Sequence, residues 1–348
     1  MGGLSTLLTT YLIFEAIHEK KLSLKDPIKL SEKALALNDI EGAGTLPMEA
    51  NQYTVEQLLT ALLVGNSSTA ALALAEKVGG SEKSFVEKMK QKLSEWGIQS
   101  PHLINATGLN TQTISGDPDG KGDENQLSAY DIAVIAKHLL QDFPEVTKYT
   151  SKPTALFSNT QIENPNLMLE GMPNYRSGVD GLRVSNSTKG GITFAASTTQ
   201  NGIHMITVVL GVEAVDGDPY ARFVATSSLM NYVVRTFVSS IVVKEGDPYG
   251  KSKATVMDGK SETVLAVAKK DFYIVEKQGS QAEPKIQFKS NQESFRAPVK
   301  SGTNLGKLHY TDPDKIGRGY LEDQEPTVDM VSGRTIEKSF FLKVWWNE

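Results

Sequence analysis

The sequence predicts an α+β domain built on an antiparallel sheet, followed by a small β-rich domain. The sheet is indicated by a strong hairpin signal, in which Thr193–Thr198 and His204–Leu210 are joined through the turn Asn201-Gly202. Stretches with helical hydrophobic spacing stand on both sides of this hairpin. After about Val243 the pattern changes to short alternating runs separated by turn residues, which is typical of an all-β domain.

Helices are predicted wherever apolar residues recur at helical spacing between capping signals. The segment that opens at Thr54 has a capping box with Gln57, and another begins at Ser128 with Asp131 three residues later. The predicted helices are Leu4–His18, Thr54–Leu63, Ala70–Val78, Phe85–Trp96, Ser128–Leu140 and Tyr220–Val238.

The β-rich region is predicted from five short runs bounded by Gly, Pro, Asp and Asn. These runs are Thr263–Ala268, Phe272–Glu276, Lys285–Phe288, Gly306–Tyr310 and Phe340–Trp345. Because a chain of 348 residues commonly forms two domains, we expect one domain at residues 1–240 and a second at residues 241–348.

Composition excludes several classes of function. The chain has 36 basic and 41 acidic residues, a net charge of −5, and no basic run, so nucleic acid is not an expected partner. The absence of cysteine excludes disulfides, thiol catalysis and thiolate metal sites. No stretch is apolar for long enough to span a membrane. The start, Met1–Phe14, lacks the basic region and cleavage site of a signal peptide.

No metal or cofactor site is expected from the sequence. A Gly-rich loop with Asp117, Asp119 and Asp123 resembles a calcium loop weakly, but Lys121 stands at a ligand position. The five histidines show no metal-binding spacing; they are His18, His102, His138, His204 and His309.

Five segments distributed along the chain carry a resemblance to a known family: Tyr53–Leu59, Ala73–Val78, Leu169–Arg176, Pro219–Phe223 and Phe341–Trp346. They closely resemble the streptococcal low-molecular-mass penicillin-binding proteins, which are serine-type D-alanyl-D-alanine carboxypeptidases. The resemblance extends over nearly the whole chain. It implies a penicillin-binding or β-lactamase-like transpeptidase domain followed by a β-rich domain; a class A β-lactamase would lack the second.

The first motif of that family is Ser-x-x-Lys at the start of a helix, where three-residue spacing lets the amine take the proton of the nucleophilic hydroxyl. By register with the segment Leu7–Leu12, the resemblance aligns Gly3 with the serine and Thr6 with the lysine. Neither residue can perform that chemistry. Ser5 is a candidate replacement, but two residues along a helix rotate it by about 200°, away from the site.

The second motif is Ser-x-Asn on a loop across the cleft. The resemblance aligns it with Asn66, Ser67 and Ser68, so that serine and asparagine are exchanged. A chance polar loop is the alternative interpretation. A shift of one residue would bring Ser67 into the cleft, but no shift restores Ser-x-Asn.

The third motif, Lys-Thr-Gly on a strand, aligns with Arg183, Val184 and Ser185. Arg183 keeps a cation that can pair with a carboxylate in a different geometry, or it is a solvated strand residue. Val184 lacks the hydroxyl that binds the same carboxylate. Ser185 has a side chain where the family uses glycine for close approach of an extended ligand.

Three altered motifs together predict a catalytically degenerate carboxypeptidase homologue with a binding or scaffolding role at the cell wall. An active serine carboxypeptidase with an atypical or truncated site is the alternative, and a decayed gene copy is a third. The expected partners are a weakly bound peptidoglycan stem peptide and an unidentified protein. The resemblance implies a location at the cell surface.

Both ends differ from the family pattern. Relatives have a signal peptide and two strands before the first motif, whereas here Met1 almost coincides with it. Either the chain was trimmed or the gene is a truncated copy. In relatives an amphipathic helix that holds the protein at the membrane surface follows the position of Trp346; the chain ends before it, at Glu348.

Overall fold

A computed structural model describes residues 2–40, 43–44, 46, 48–115, 122–214, 217–317 and 319–340. The chain divides into two compact units. The first is Met1–Gln200 with His204–Tyr232, and the second is Asn201–Ile203 with Val233–Glu348. None of the helices in the described ranges is both long and apolar enough to cross a bilayer.

The first unit is organised around helix α1, Thr6–His18, whose residues from Thr6 to Phe14 are all buried. A helix that is apolar on all sides belongs in the interior, and α1 contacts α4, α5 and α7. The remaining helices before the sheet are α2 Glu32–Ala36, α3 Val55–Leu63, α4 Ser68–Gly79, α5 Glu82–Glu95, α6 Thr111–Ser115, α7 Ala129–Asp142 and α8 Thr147–Thr150.

The antiparallel sheet of this unit has the strand order β5-β6-β7, which leaves β5 as an edge strand. The strands are β5 Val179–Ser187, β6 Gly191–Gln200 and β7 Ile203–Val212. Asn201 and Gly202, both with positive φ, form the turn between β6 and β7, as this pair does in tight hairpins. Two small hairpins complete the unit: β1 Pro27–Lys29 with β2 Gln52–Thr54, and β3 Thr154–Phe157 with β4 Thr160–Glu163.

Helix α9, Ala221–Thr236, packs on this sheet through Phe223, whose ring meets Phe194 of β6 edge-on at 5.4 Å. The predicted helix Tyr220–Val238 was too long at its C-terminal end, because Phe237–Val243 forms strand β8. The β-branched and aromatic residues of that segment favour a strand.

The second unit is β-rich, with a six-stranded sheet in the order β12-β14-β15-β10-β9-β13 and a separate pair β11-β8. Its apolar core includes Val256, Leu308 and Met330. The strands are β9 Pro248–Met257, β10 Thr263–Ala268, β11 Phe272–Lys277, β12 Lys285–Ser290, β13 Phe295–Arg296, β14 Asn304–Thr311 and β15 Thr327–Ser332.

The predicted architecture is confirmed: the first unit is α+β with an antiparallel sheet between helices, and the second is a small β-rich unit. The predicted strand Phe340–Trp345 is not tested as a whole, since residues 341–348 lie outside the described residues, and Phe340 itself is not in a strand.

One buried asparagine connects the start of α1 to the loops beside it. Asn125 Oδ1 accepts hydrogen bonds from the backbone N–H groups of Ile104 (2.7 Å) and Asn105 (3.3 Å). Its Nδ2 donates to Ser5 Oγ (2.7 Å) and to the carbonyl of Asn105 (2.9 Å). All four polar interactions are lost together if this side chain is removed.

We expect Asn125→Ala to lower the free energy of unfolding by about 3 kcal/mol, because buried N–H groups would be left without acceptors. Urea denaturation followed by circular dichroism measures this. The matched control is Asn291→Ala, whose amide makes a solvent-exposed hydrogen bond to Asn304. It should change stability by less than about 0.5 kcal/mol. Equal effects of the two substitutions would contradict the connecting role of Asn125.

Candidate functional site

A cleft of about 680 Å³ lies between the start of α1, the turn before α4 and the edge strand β5. Six of the eight residues that the sequence analysis aligned with the three motifs line this cleft, and Thr6 and Ser67 do not. The lining residues include Gly3, Asn66, Ser68, Arg183, Val184 and Ser185, with Asn110, Glu124, Ser187 and Arg222.

Gly3 lies against the side chain of Ser185. It belongs to a short 3-10 turn, Gly2–Ser5, that precedes α1. A β-carbon placed on Gly3 would be 2.3 Å from Oγ and 2.9 Å from Cβ of Ser185, which is closer than real contacts allow. The hydroxyl of Ser185 therefore occupies the space that a side chain at position 3 would need.

Thr6 and Ser5 both point into the protein. Thr6 Oγ1 donates to the carbonyl of Gly3 at 2.6 Å and the residue is 1% exposed. Ser5 Oγ donates to the carbonyl of Gly2 at 2.6 Å and accepts from Asn125. Ser5 is buried and does not line the cleft, as the helical rotation predicted.

The turn before α4 presents Asn66 and Ser68 to the cleft but not Ser67. Ser67 is the N-cap of α4, where its hydroxyl accepts from the backbone N–H of Ala70. Asn66 has a positive φ of 60°, a backbone conformation that asparagine tolerates. Its Nδ2 donates to the carbonyl of Val184 on β5 at 3.1 Å.

Arg183 is buried in the wall of the cleft, so the interpretation as a solvated strand residue is wrong. It is 5% exposed, and Nη1 donates to the carbonyl of Leu62 at 2.7 Å. Nε has no hydrogen-bond partner, and no carboxylate in the described part of the chain lies within 4 Å of the guanidinium. Burial lowers the pKa of Arg183 to about 9, which still leaves the group charged at neutral pH.

Sequence reasoning missed two ionisable residues of the cleft. Arg222 at the start of α9 donates through Nη1 to the carbonyls of Ser185 (2.9 Å) and Thr193 (3.0 Å), and through Nη2 to Asn186 Oδ1. Burial lowers the pKa of Arg222. In the sequence, the segment that contains Arg222, Pro219–Phe223, resembles the family but carries no signal for this role.

Glu124 is the second missed residue and is 1% exposed. Its Oε1 accepts from Ser187 Oγ at 2.5 Å and from the backbone N–H of Lys189 at 3.0 Å. Burial alone would raise the pKa of Glu124, but its hydrogen bonds, of which that from Ser187 lowers the pKa most, contribute to bringing it below its usual value. The sequence pointed instead to the neighbouring Asp123, because it belongs to the acidic loop that was compared with a calcium site.

The proposed resemblance of that loop to a calcium site involves Asp117, Asp119 and Lys121, which lie outside the described residues. Asp123 is paired with His102 (2.7 Å) and Lys189 (3.2 Å), and the hydrogen bond from His102 contributes most to lowering its pKa to about 2. No cluster of three or more potential metal ligands occurs within the described ranges.

The chemistry available in the cleft is that of hydrogen bonding and charge pairing. Among the described residues, its ionisable groups are Glu124, Arg183 and Arg222, and no lysine or histidine lines it. A hydroxyl nucleophile is ordinarily activated by an adjacent base. Within the described lining, the hydroxyl of Ser187 is the one that donates to a carboxylate.

Two family profiles match the chain. Residues 2–214 match D-alanyl-D-alanine carboxypeptidase (Peptidase S11), and residues 237–338 match the C-terminal domain of penicillin-binding protein 5. The chain is 26% identical to D-alanyl-D-alanine carboxypeptidase DacA of Haemophilus influenzae over 311 residues, covering 89% of this chain and 74% of the relative.

Solved structures agree with these matches. A peptidoglycan synthesis regulatory factor, PBP3 of Streptococcus pneumoniae, is 44% identical with a TM-score of 0.92, covering 97% of this chain and 92% of that one. Penicillin-binding protein D2 of Listeria monocytogenes, solved with ampicillin bound, is 26% identical with a TM-score of 0.53, covering 66% of this chain and 85% of that one. The first of the two family profiles covers more than half of this chain. The chain therefore belongs to the D-alanyl-D-alanine carboxypeptidase family, Peptidase S11, whose members act on cell-wall peptidoglycan.

Proposed function

We propose that this protein is a catalytically degenerate member of its family that acts as a binding or scaffolding protein at the cell wall. The observation that supports this most directly is the contact between Gly3 and Ser185. Where the family has a nucleophile at the start of α1, this chain has no side chain, and the hydroxyl of Ser185 fills the space.

The base of the first motif is also missing. Thr6 is buried, and its hydroxyl is hydrogen-bonded to the turn that precedes it. No amine in the described lining of the cleft stands in for a lysine at that position. Since removing the nucleophile or base of a serine hydrolase costs on the order of 10⁶ in turnover, loss of both is expected to abolish the reaction.

The edge of β5 is less open to a ligand than its position in the sheet implies. An extended peptide that pairs with an edge strand needs free backbone groups there. The carbonyl of Val184 already accepts from Asn66, and Ser185 adds a side chain beside it. Both features weaken the binding of a stem peptide.

Arg183 favours some residual affinity for an anion. Its guanidinium is buried without a carboxylate partner in the described structure, and a ligand carboxylate would supply the missing counter-charge. One hydrogen bond to Leu62 holds it in the wall of the cleft. We therefore propose a stem-peptide carboxylate as a weak ligand, with Arg183 as its contact.

A second candidate function is an active serine carboxypeptidase with a relocated nucleophile. Ser187 Oγ donates to the buried Glu124 within the cleft, which is an arrangement of hydroxyl and base. The lowered pKa of Glu124 makes it a weak base. Ser185 also lines the cleft, but its hydroxyl donates to the carbonyl of Asn186 at 3.2 Å and not to a base.

Location and partners follow from the family. We propose that the protein works at the cell surface, where its relatives act on peptidoglycan. The relative from S. pneumoniae is described as a regulatory factor of peptidoglycan synthesis. A regulatory role in this chain would need binding to wall peptide or to another protein, and neither requires a nucleophile.

A fluorescent penicillin should not label this protein covalently, because in the described cleft the one hydroxyl beside a carboxylate, Ser187, faces a weak base. The measurement is in-gel fluorescence after denaturation, with Listeria D2, which has been solved with ampicillin bound, as the positive control. A hydroxylamine-sensitive band would refute the inactive assignment. Its loss in Ser187→Ala or in Ser185→Ala would then identify the relocated nucleophile.

The contact between positions 3 and 185 predicts an energetic coupling. We expect Gly3→Ser to destabilise the protein by about 1–3 kcal/mol, because the new side chain overlaps Ser185. In a Ser185→Gly background the same change should cost little. A double-mutant cycle by urea denaturation measures the coupling. The control pair Gly3→Ser with Ser68→Gly should be additive, and additivity at position 185 as well would reject the proposed overlap.

A D-alanyl-D-alanine peptide should bind at best in the millimolar range, since a single charge contact contributes about 1 kcal/mol and the edge of β5 is obstructed. Ligand-observed NMR titration measures this affinity. Arg183→Met should weaken it further, whereas Arg235→Met, an exposed arginine on α9, should not. Micromolar affinity that depends on Arg183 would instead indicate a receptor site.

A further inference from the structure

The outward face of the six-stranded sheet in the second unit is rich in lysine. Along its strands, core residues such as Val256, Leu308 and Met330 point inward, so their neighbours point to solvent. We call this outward surface the basic sheet face. Its lysines, all exposed, are Lys251 and Lys253 on β9, Lys285 and Lys289 on β12, and Lys307 on β14.

One of these lysines has a carboxylate beside it in the sheet, since Lys307 is opposite Asp329 of β15 in the strand register. In the described structure no carboxylate lies within 4 Å of any of the five. Lys289 is directly opposite Lys307 in the strand register, an arrangement of like charges that destabilises a sheet. Two residues further along β14 from Lys307 is His309, whose pKa is lowered by burial and then by Lys289 and Lys307.

An apolar groove of about 670 Å³ runs along the same face. Its floor contains Leu265, which is 44% exposed, and the register partners Val267 and Val331. Its rim carries three cations and one carboxylate among the described residues. These are Lys253, Lys269, Arg334 and Glu245.

Protection of sheet edges explains only part of this pattern. Lysines on an edge strand prevent unwanted strand pairing, and β12 is such a strand. Lys307 is on β14, which has neighbours on both sides, and there it is opposite Asp329, a pair of charges that stabilises the sheet. Leu265 is an exposed aliphatic residue on an inner strand of the sheet, where exposed apolar surface lowers solubility. Apolar surface rimmed by charge is instead typical of an interaction site.

We propose that the groove on the basic sheet face binds an acidic peptide segment of a partner protein, with aliphatic side chains on the floor and carboxylates at the cationic rim. The partner's aliphatic groups would cover Leu265, Val267 and Val331. Its carboxylates would meet Lys253 and Arg334, since Lys269 already lies 4.0 Å from Asp329. Lys251 and Lys289 extend the positive potential beyond the groove and would raise the association rate.

The groove fits such a peptide better than two other anionic partners. A phosphate polymer has no apolar groups to cover the floor at Leu265. A bilayer is planar, whereas the floor is recessed between Lys253 and Arg334. The inference does not depend on the state of the cleft in the first unit, so it can fail or hold independently of the proposed function.

The test uses the full chain and fluorescence anisotropy with a labelled short peptide of glutamates and interspersed leucines. A matched peptide with serine at each leucine position keeps the charge and removes the apolar groups. We expect the leucine peptide to bind about tenfold more tightly than the serine peptide. Leu265→Ser should remove most of that difference.

The charge component is tested with Lys253→Gln and Arg334→Gln, each of which should weaken binding roughly threefold, with a further loss as salt is raised. Lys277→Gln, an exposed lysine on β11 away from this face, is the matched control and should have no effect. Circular dichroism checks that each variant is folded.

Three outcomes would overturn the proposal. Equal affinity for the leucine and serine peptides, with inorganic polyphosphate competing equally well in wild type and Leu265→Ser, would identify a polyanion surface. Binding to phosphatidylglycerol vesicles but to neither peptide would identify a membrane surface. No binding to any of these probes would reject the groove as a site for acidic peptides.

Discussion

The close approach of the turn Gly2–Ser5 to strand β5 is the constraint on which the cleft depends. Gly3 lies so near Ser185 that only one of the two positions can carry a side chain without movement of the backbone. The same strand is held from its other flank by Arg222, which bonds the carbonyl of Ser185. Helix α1, β5 and α9 therefore meet around Gly3 and Ser185, and the residue type at one of these positions limits which residue fits at the other.

Much of the fold could be predicted from the sequence because its elements carry local signals. The capping boxes at Thr54 and Ser128 mark their helices, and the turn Asn201-Gly202 marks its hairpin. Strand β9 was missed because Lys, Ser, Thr and Ala give it little apolar alternation on either face. Strand β9 forms because it pairs with β10 and β13. Such pairing depends on the tertiary structure and cannot be predicted from the local sequence.

The candidate site could be predicted only in part, for a similar reason. Alignment with the family's motifs identified Gly3, Asn66 and Arg183 as candidate site residues, and the fold brings all three to one cleft. The sequence did not reveal that Arg183 is buried, since a cation on an edge strand normally reaches water. Nor did it reveal Glu124 and Arg222, because their importance arises from partners that are distant along the chain, Ser187 and Ser185.

The proposed loss of chemistry is compatible with the preserved fold, because different residues provide the two. The core of α1 depends on apolar side chains such as Leu7 and Leu8, each worth about 1.5–3 kcal/mol when buried. Active-site residues commonly reduce stability, so replacing them relieves strain. Arg183 does not fit that pattern, since a buried charge without a counter-ion is costly. Among the described residues that line the cleft, Arg183 is a buried cation without a carboxylate partner, so an anionic ligand at the proposed site would offset the cost of its burial.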